Sequence, residues 1–449
     1  MSLLARLRPG LLLLVLLGCR AESVTPVVVK FWAMGREGEV VQQLVPEFER
    51  LTPGLRVRVQ QIPWSAAHEK LLTAYVGNAM PDLFQVGNTW IPEFVALGAI
   101  EPLDERMAHS SIVRSDDYFP GILDTNVIDG VTYGVPWYVD TRLLFYRTDI
   151  LAQAGYPQPP TTWAAWLDAM TRIKQQVGPA NYAILLPFTE WQVPVILALQ
   201  RGATLLRDND QYGDFRSPEF RSSFEFYLDL LRRDLAPRGG QAQIANLYQD
   251  FTSGYFSMYI SGPWNIGEFR ARLPASLQDR WLTAPMPAPD GGYPGTSVAG
   301  GSSLAIFRGS QHKDLAWKMI EYLSEPPLQL QFYRLTGDLP ARKSAWADGD
   351  LAHNRYAHAF WQQLQGVQST PKIPEWERIA DKISQYTEAA IRGDMDVDAA
   401  LTALDSDVDG LLEKRRWMLR QAKNVGPAVP AAVRAEQSEG SAGTAGATH

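Results

Sequence analysis

The sequence predicts an α/β protein with mainly parallel sheets, on three observations. Runs rich in β-branched and aromatic residues alternate with stretches of helical periodicity. Clusters of Gly, Pro, Asn and Ser separate them. The 449 residues, 46% hydrophobic and 20% charged, match an ordinary globular chain with room for two or three lobes, each with its own core. Strands joined by helical crossovers imply βαβ units and a parallel sheet. In such sheets ligands sit beyond the carboxyl ends of the strands.

Residues 27–31, VVVKF, read as the first strand. Val40, Val41, Leu44, Val45, Phe48 and Leu51 then recur at helical spacing, although Pro46 inside that pattern argues against an unbroken helix. Thr52-Pro53-Gly54 ends it, Leu55, Val57 and Val59 alternate as a second strand, a helix is expected over 65–78, and 82–86 form a third strand. Three loops then fall at carboxyl ends of strands: 32–37 with Trp32, Arg36 and Glu37, 87–90 with Asn88, Thr89 and Trp90, and 136–140 with Trp137, Tyr138 and Asp140. A strand follows at 142–147, and Asp149 starts a short helix. Thr161-Thr162 caps a helix over 163–176, and helical periodicity returns over 217–234. YFSMYI (255–260) reads as a strand broken at Ser261-Gly262-Pro263-Trp264. The Pro- and Gly-rich segment 285–295 is a long loop leading into Gly300-Gly301-Ser302-Ser303 and a strand at 304–307. Helices dominate from 312 to about 420, and the Ala-, Gly-, Ser- and Pro-rich tail 425–449 is expected to be disordered. No internal repeat is visible.

The amino terminus carries Arg6 and Arg8, then an apolar run over 11–17, then Gly18-Cys19. This is the layout of an export signal over residues 1–18. The run is shorter than the roughly 20 apolar residues that span a bilayer. Leu16-Leu17-Gly18-Cys19 also resembles the bacterial lipobox, in which the cysteine is lipidated and becomes the new amino terminus. Cys19 is the single cysteine, so no internal disulfide is possible. The expectation is an exported protein, periplasmic or otherwise extracytoplasmic, held at the membrane by a lipid on Cys19.

The formal charge is −7 with no basic stripe, which argues against a nucleic-acid partner. The nucleophile elbow G-x-S-x-G, the zinc motif H-E-x-x-H and the P-loop are all missing. The six His are scattered and suggest no metal cluster, and nothing calls for a cofactor.

Fourteen Trp need a reason, because a buried indole N–H needs a partner. A neutral sugar supplies one. Its hydroxyls leave water on binding, so a site must replace those hydrogen bonds. Carboxylates and amides do so, while the apolar C–H faces of the ring pack on flat aromatics. Loops 32–37, 87–90 and 136–140 hold this mixture, and Trp191 and Trp264 add to it. Gly300, Gly301 and Ser302 let a ligand approach the backbone, or serve only as a hinge.

Together PDLFQVGNTWIPEFVALGAIEPLD (81–104), GVPWYVDTRLLFYRTDILAQAGYPQPPTTWAAW (134–166), SGPWNIGEF (261–269), APMPAPDGGYPGTSVAGGSSLAIF (284–307) and LPARKSAW (339–346) resemble the maltose-binding-protein-like family 1 of extracellular solute-binding proteins, which serve sugar ABC transporters. The resemblance runs from about residue 27 to 420. It implies a two-lobe periplasmic-binding-protein fold (type II-like) with a multi-crossing hinge: lobe 1 over 27–136 plus 301–335, lobe 2 over 137–300 plus 336–424. It implies hinge closure on a di- or oligosaccharide, with a lean toward an α-glucoside such as maltose or trehalose, and delivery by a monomer to the membrane permease. By resemblance Asp140, Trp191 and Trp264 contact sugar, Asn88, Thr89 and Trp90 match a variable binding loop, and Trp376 belongs to a carboxy-terminal stretch that brings aromatics to the cleft. Other readings stay open at this point. One is a secreted glycosidase or lyase, whose two carboxylates leave no sequence signature. Another is a binder of a polyol, a glycerophosphodiester or a polyamine, with Arg36 available to a phosphate.

Overall fold

The computed structural model describes residues 26–187, 190–238 and 246–425. The expected export signal over 1–18, the lipidation expected at Cys19 and the tail from 426 onward lie outside the described residues. No helix among the described residues is long and apolar enough to cross a membrane.

Two sheets organise the chain. The first has six strands in the order Leu55–Ile62, Val27–Met34, Leu83–Gly87, Gly300–Ile306, Val135–Asp140, Leu339–Pro340. The second has four, in the order Tyr182–Leu185, Phe256–Ser261, Leu143–Arg147, Trp281–Ala284. Both are mixed, which corrects the expectation of mainly parallel sheets. Val27–Met34 runs parallel to Leu55–Ile62 and to Leu83–Gly87, and Tyr182–Leu185 runs parallel to Phe256–Ser261. Gly300–Ile306 is antiparallel to Leu83–Gly87, and Leu143–Arg147 is antiparallel to Phe256–Ser261. The crossings explain the reversal. Within each lobe the parallel strands end at the space between the lobes. A strand that arrives from the other lobe starts there and must run the opposite way.

The first crossing falls between Asp140 and Leu143, four residues later than the expected boundary at 136/137. Val135–Asp140 pairs with Gly300–Ile306 and, at Val139 and Tyr138, with Leu339 and Pro340. Residues 137–140, Gly300 and Leu339–Pro340 therefore belong to the six-stranded sheet, although the expected division put them in lobe 2.

Most elements form where the periodicity put them. The first helix is Gly35–Leu51 and runs unbroken through Pro46. Its buried face of Val40, Val41, Leu44, Val45 and Phe48 holds it on the sheet, which offsets the hydrogen bond that proline removes. Thr162 caps the helix Trp163–Val177 by accepting from the Ala165 N–H. The glycines Gly300 and Gly301 open a strand instead of forming a loop.

Three cores result. One covers a face of the six-stranded sheet with Met34, Phe84, Ile91 and Phe94. A second belongs to the four-stranded sheet, around Trp166, Ile196, Phe224 and Trp376. The third is continuous across both lobes, from Phe31 and Trp137 to Phe145 and Trp281.

Candidate functional site

Between the sheets lies a cleft of about 820 Å³, within the roughly 300–1,000 Å³ usual for small-molecule sites. Three parallel strands of the first sheet deliver their carboxyl ends to it. Glu37 follows Val27–Met34, Trp64 follows Leu55–Ile62, and Asn88, Thr89 and Trp90 follow Leu83–Gly87. The second sheet faces them with Trp191 after Tyr182–Leu185 and Trp264 after Phe256–Ser261. Tyr138, Asp140, Gly300, Gly301 and Asp338 form the floor, where the chain crosses between lobes.

A relay of hydrogen bonds places Glu37. The Met34 N–H donates to Gln85 Oε1 (2.7 Å), Gln85 Nε2 to the Tyr138 hydroxyl (3.3 Å), and that hydroxyl to Glu37 Oε1 (2.7 Å). Burial pushes the Glu37 carboxyl above its ordinary range, against the pull of its backbone and of the Tyr138 and Trp64 donors. Trp64 Nε1 lies 3.3 and 3.4 Å from the two carboxylate oxygens. Gly35, at φ +47°, keeps room for this ring, since a Cβ there would lie 2.7 Å from Trp64 Cδ1.

On the floor, burial also raises Asp140, in part offset by Arg142, whose Nη1 sits 3.2 Å from either carboxylate oxygen. The same guanidinium lies 4.5 Å from the centroid of the Trp264 ring. Gly262 is what allows this packing: a Cβ there would meet Trp264 Cζ3 at 1.9 Å and Asp140 Oδ1 at 2.6 Å. Asp338 is raised well above the carboxylate range by burial and by the neighbouring Glu37. Glu377 is raised by burial, against the pull of the Thr89 hydroxyl and of His68.

The aromatics form two walls. Trp64 and Trp90 meet edge to face at 5.8 Å, and Trp191 stands edge to face on Trp376 at 5.3 Å. Trp64 is 37% exposed and Trp264 36%, high for indoles, so each presents an uncovered face. In the lining, Asn88 Nδ2, Arg142 Nε, Gln192 Oε1 and Glu377 Oε1 are buried with no protein partner, each a hydrogen-bonding capacity left for a ligand or solvent.

Of the residues singled out in the sequence, Arg36, Glu37, Asn88, Thr89, Trp90, Tyr138, Asp140, Trp191, Trp264, Gly300 and Gly301 line the cleft. Four do not. Trp32 lies within the first strand, half-buried, with the Lys70 ammonium 5.2 Å from its ring. Ser302 is fully buried and donates to the Val86 carbonyl at 3.0 Å. Trp376 is also fully buried and supports Trp191 from behind. Trp137 is displaced by a bulge: Ser302 pairs with Tyr138 and Ser303 with Pro136, so Trp137 is the extra residue. Its ring packs in the core, 4.4 Å from Phe332 and 6.1 Å from Phe31. Sequence reasoning missed Trp64, Arg142, Tyr248, Asp338 and Glu377.

A two-lobe α/β molecule with an aromatic, carboxylate-rich cleft at its hinge has the build of a ligand-capturing binding protein. The chain belongs to the bacterial extracellular solute-binding proteins, whose family model matches residues 33–330. It is 50% identical to the sugar-binding protein MalE from the phytopathogen Xanthomonas citri, with a TM-score of 0.85 over 88% of this chain and 100% of that one. It is 26% identical to the diacetylchitobiose binding protein DasA of Streptomyces coelicolor, over 83% of this chain and 85% of DasA. The GacH receptor of Streptomyces glaucescens, solved unliganded and with acarbose, shares the fold at 24% identity and a TM-score of 0.75, over 86% of this chain and 98% of that one.

Proposed function

We propose that this chain is the substrate-binding protein of a carbohydrate ABC importer. It captures a neutral di- or oligosaccharide between its lobes, closes by hinge motion and delivers the sugar unaltered to the permease. The observation that carries this reading is the pairing state of the cleft. Its three arginines are each tied to a carboxylate: Arg36 to Glu39 at 2.9 Å, Arg142 to Asp140 at 3.2 Å and Arg272 to Glu268 at 2.5 Å. A phosphate or carboxylate ligand would have to break these pairs and face Glu37, Asp338 and Glu377 as well. A neutral sugar meets carboxyl groups that take its hydroxyls and Trp64, Trp90, Trp191 and Trp264 for its C–H faces. The likeness to the Xanthomonas citri sugar-binding protein supports a sugar ligand, and within sugars the proposal leans toward an α-glucoside such as maltose or trehalose. A lipid on Cys19 would hold the receptor near its permease, and a monomer suffices for each step.

One other reading has a specific observation behind it. Among the described residues no basic side chain offsets the burial of Glu37 or Asp338, so a polyamine would find carboxyl groups and indole faces together. A thermal-shift panel of maltose, trehalose, sucrose, cellobiose, xylobiose, glucose, glycerol 3-phosphate and spermidine separates the two. A ligand at about 1,000 times its Kd adds about 4 kcal/mol, a shift of several degrees. A selective shift with a neutral sugar is expected. A shift with spermidine or glycerol 3-phosphate alone would overturn the proposal.

A further inference from the structure

Asp338 is the least explained group in the cleft. It precedes the short strand Leu339–Pro340, in which Leu339 pairs with Val139 and Pro340 with Tyr138. One step further in that register sets Asp338 beside Asp140, which on its other side pairs with Gly300. Two acidic residues thus stand abreast at the edge of one sheet. Glu37 approaches from the first helix, held there by the Tyr138 hydroxyl. Asp338 is 7% exposed. Its own N–H donates to Thr336 Oγ1 at 3.0 Å, and the Thr336 hydroxyl is the neutral group that eases its charge.

The charged groups around it do not relieve this crowding. On the crossing strand, Asp140 is taken by Arg142. On the first helix, Arg36 pairs with Glu39. The helix Trp264–Arg272 packs near Gly337, and there Glu268 and Arg272 pair with each other. On its own segment, Arg334 turns away to Asp348 and Asp350. Carboxyl groups crowded together with no free cation among the described residues cannot all ionise, and the one least supported by donors keeps its proton. Glu37 accepts from Tyr138 and Trp64 and Asp140 pairs with Arg142, whereas Asp338 has only the Thr336 hydroxyl beside it.

We propose that Asp338 is a specificity-determining residue of the cleft, present as the neutral acid, whose O–H donates to an acceptor oxygen of the bound sugar while Glu37 accepts from a sugar hydroxyl. The inference rests on the sugar-binding reading and deepens it. A floor that offers one donor and one acceptor selects ligands with an acetal or ring oxygen next to a hydroxyl, and it discriminates against a cationic ligand, which needs both groups ionised. Lobe closure expels water and strengthens the preference for the protonated form.

The test has two arms. In the first, infrared spectra of the ligand-free protein near neutral pH are compared for wild type, Asp338→Asn and Glu37→Gln. A carboxylic-acid carbonyl band present in wild type and absent from Asp338→Asn is expected. No such band, or a band that survives in Asp338→Asn and vanishes in Glu37→Gln, would overturn the assignment. In the second, maltose and trehalose affinities are measured from mildly acid to mildly alkaline pH. Affinity is expected to fall as pH rises, toward a limit of about tenfold per pH unit for one proton taken up. Asp338→Asn is expected to lose that slope, and Asp338→Ala to lose affinity by about tenfold or more at every pH. Affinity that rises with pH, or a slope unchanged in Asp338→Asn, would also overturn it. If neither sugar binds at any pH, the sugar-binding reading and the donor role fall together, while the infrared arm still decides where the proton sits.

Discussion

The Arg142 guanidinium stacks over Trp264 at 4.5 Å while pairing with Asp140 at 3.2 Å, so one side chain joins the floor of the cleft to its aromatic wall. Arg142 lies on the first crossing, and Trp264 follows the strand Phe256–Ser261 of the four-stranded sheet. Trp264→Ala removes a stacking face and frees the guanidinium. Sugar affinity is expected to fall by about tenfold to a hundredfold, or roughly 1.4–2.8 kcal/mol, with unchanged far-UV circular dichroism. Affinity within twofold of wild type would remove Trp264 from the site.

Gly262→Ala tests the same wall without removing a polar group. The added Cβ has no room beside Trp264 Cζ3 and Asp140 Oδ1, so the indole must turn. Loss of affinity comparable to Trp264→Ala is expected by calorimetric titration, with a smaller loss of thermal stability. An unaffected Kd would mean that the ring orientation is irrelevant to binding.

Trp137 and Trp376 are expected to separate stability from recognition. Both are buried, 2% and 0% exposed, and neither lines the cleft. Replacing either with Ala opens a core cavity worth about 3–5 kcal/mol, read as a lower urea midpoint. Trp137→Ala is expected to leave Kd within a few fold once folded, while Trp376→Ala also loosens Trp191, which stands on it.

The contrast between these residues shows what could be read from the chain. The strand-ending loops were legible because strands, helices and their order follow from periodicity, and Asp140 and Trp264 follow from that order. Trp64 carried the same signal, immediately after the second strand, and was passed over. The bulge at Trp137 left no local mark, because it depends on how Gly300–Ile306 pairs beside it. Asp338 and Glu377 reach the cleft from distant segments through tertiary packing alone. The reversal of strand direction at the crossings was hidden for the same reason.

Stability should follow pH in a sense set by the cleft. Glu37, Asp140, Asp338 and Glu377 are all raised, chiefly by burial. Groups raised on folding contribute their full stability below the ordinary carboxylate range near about pH 4, and that contribution drains away as pH rises through the raised values. Asp149 works the other way: burial raises it, but the Arg147 pair wins and holds it low, so its contribution is lost as pH falls. Urea midpoints of the ligand-free protein are therefore expected to decline from mildly acid to neutral pH, and to decline less in Asp338→Asn. A midpoint that climbs across that window would contradict the crowding of the cleft carboxyls.

The most direct measurement is a calorimetric titration of the purified chain, freed of residues 1–19, with maltose and with trehalose, followed by chromatography of the recovered ligand. The expected result is saturable single-site binding of at least one of them, with the sugar recovered intact. Absence of heat with both sugars while spermidine or glycerol 3-phosphate binds, or disappearance of the sugar on incubation, would contradict the account of a receptor that closes on a neutral sugar and releases it unchanged.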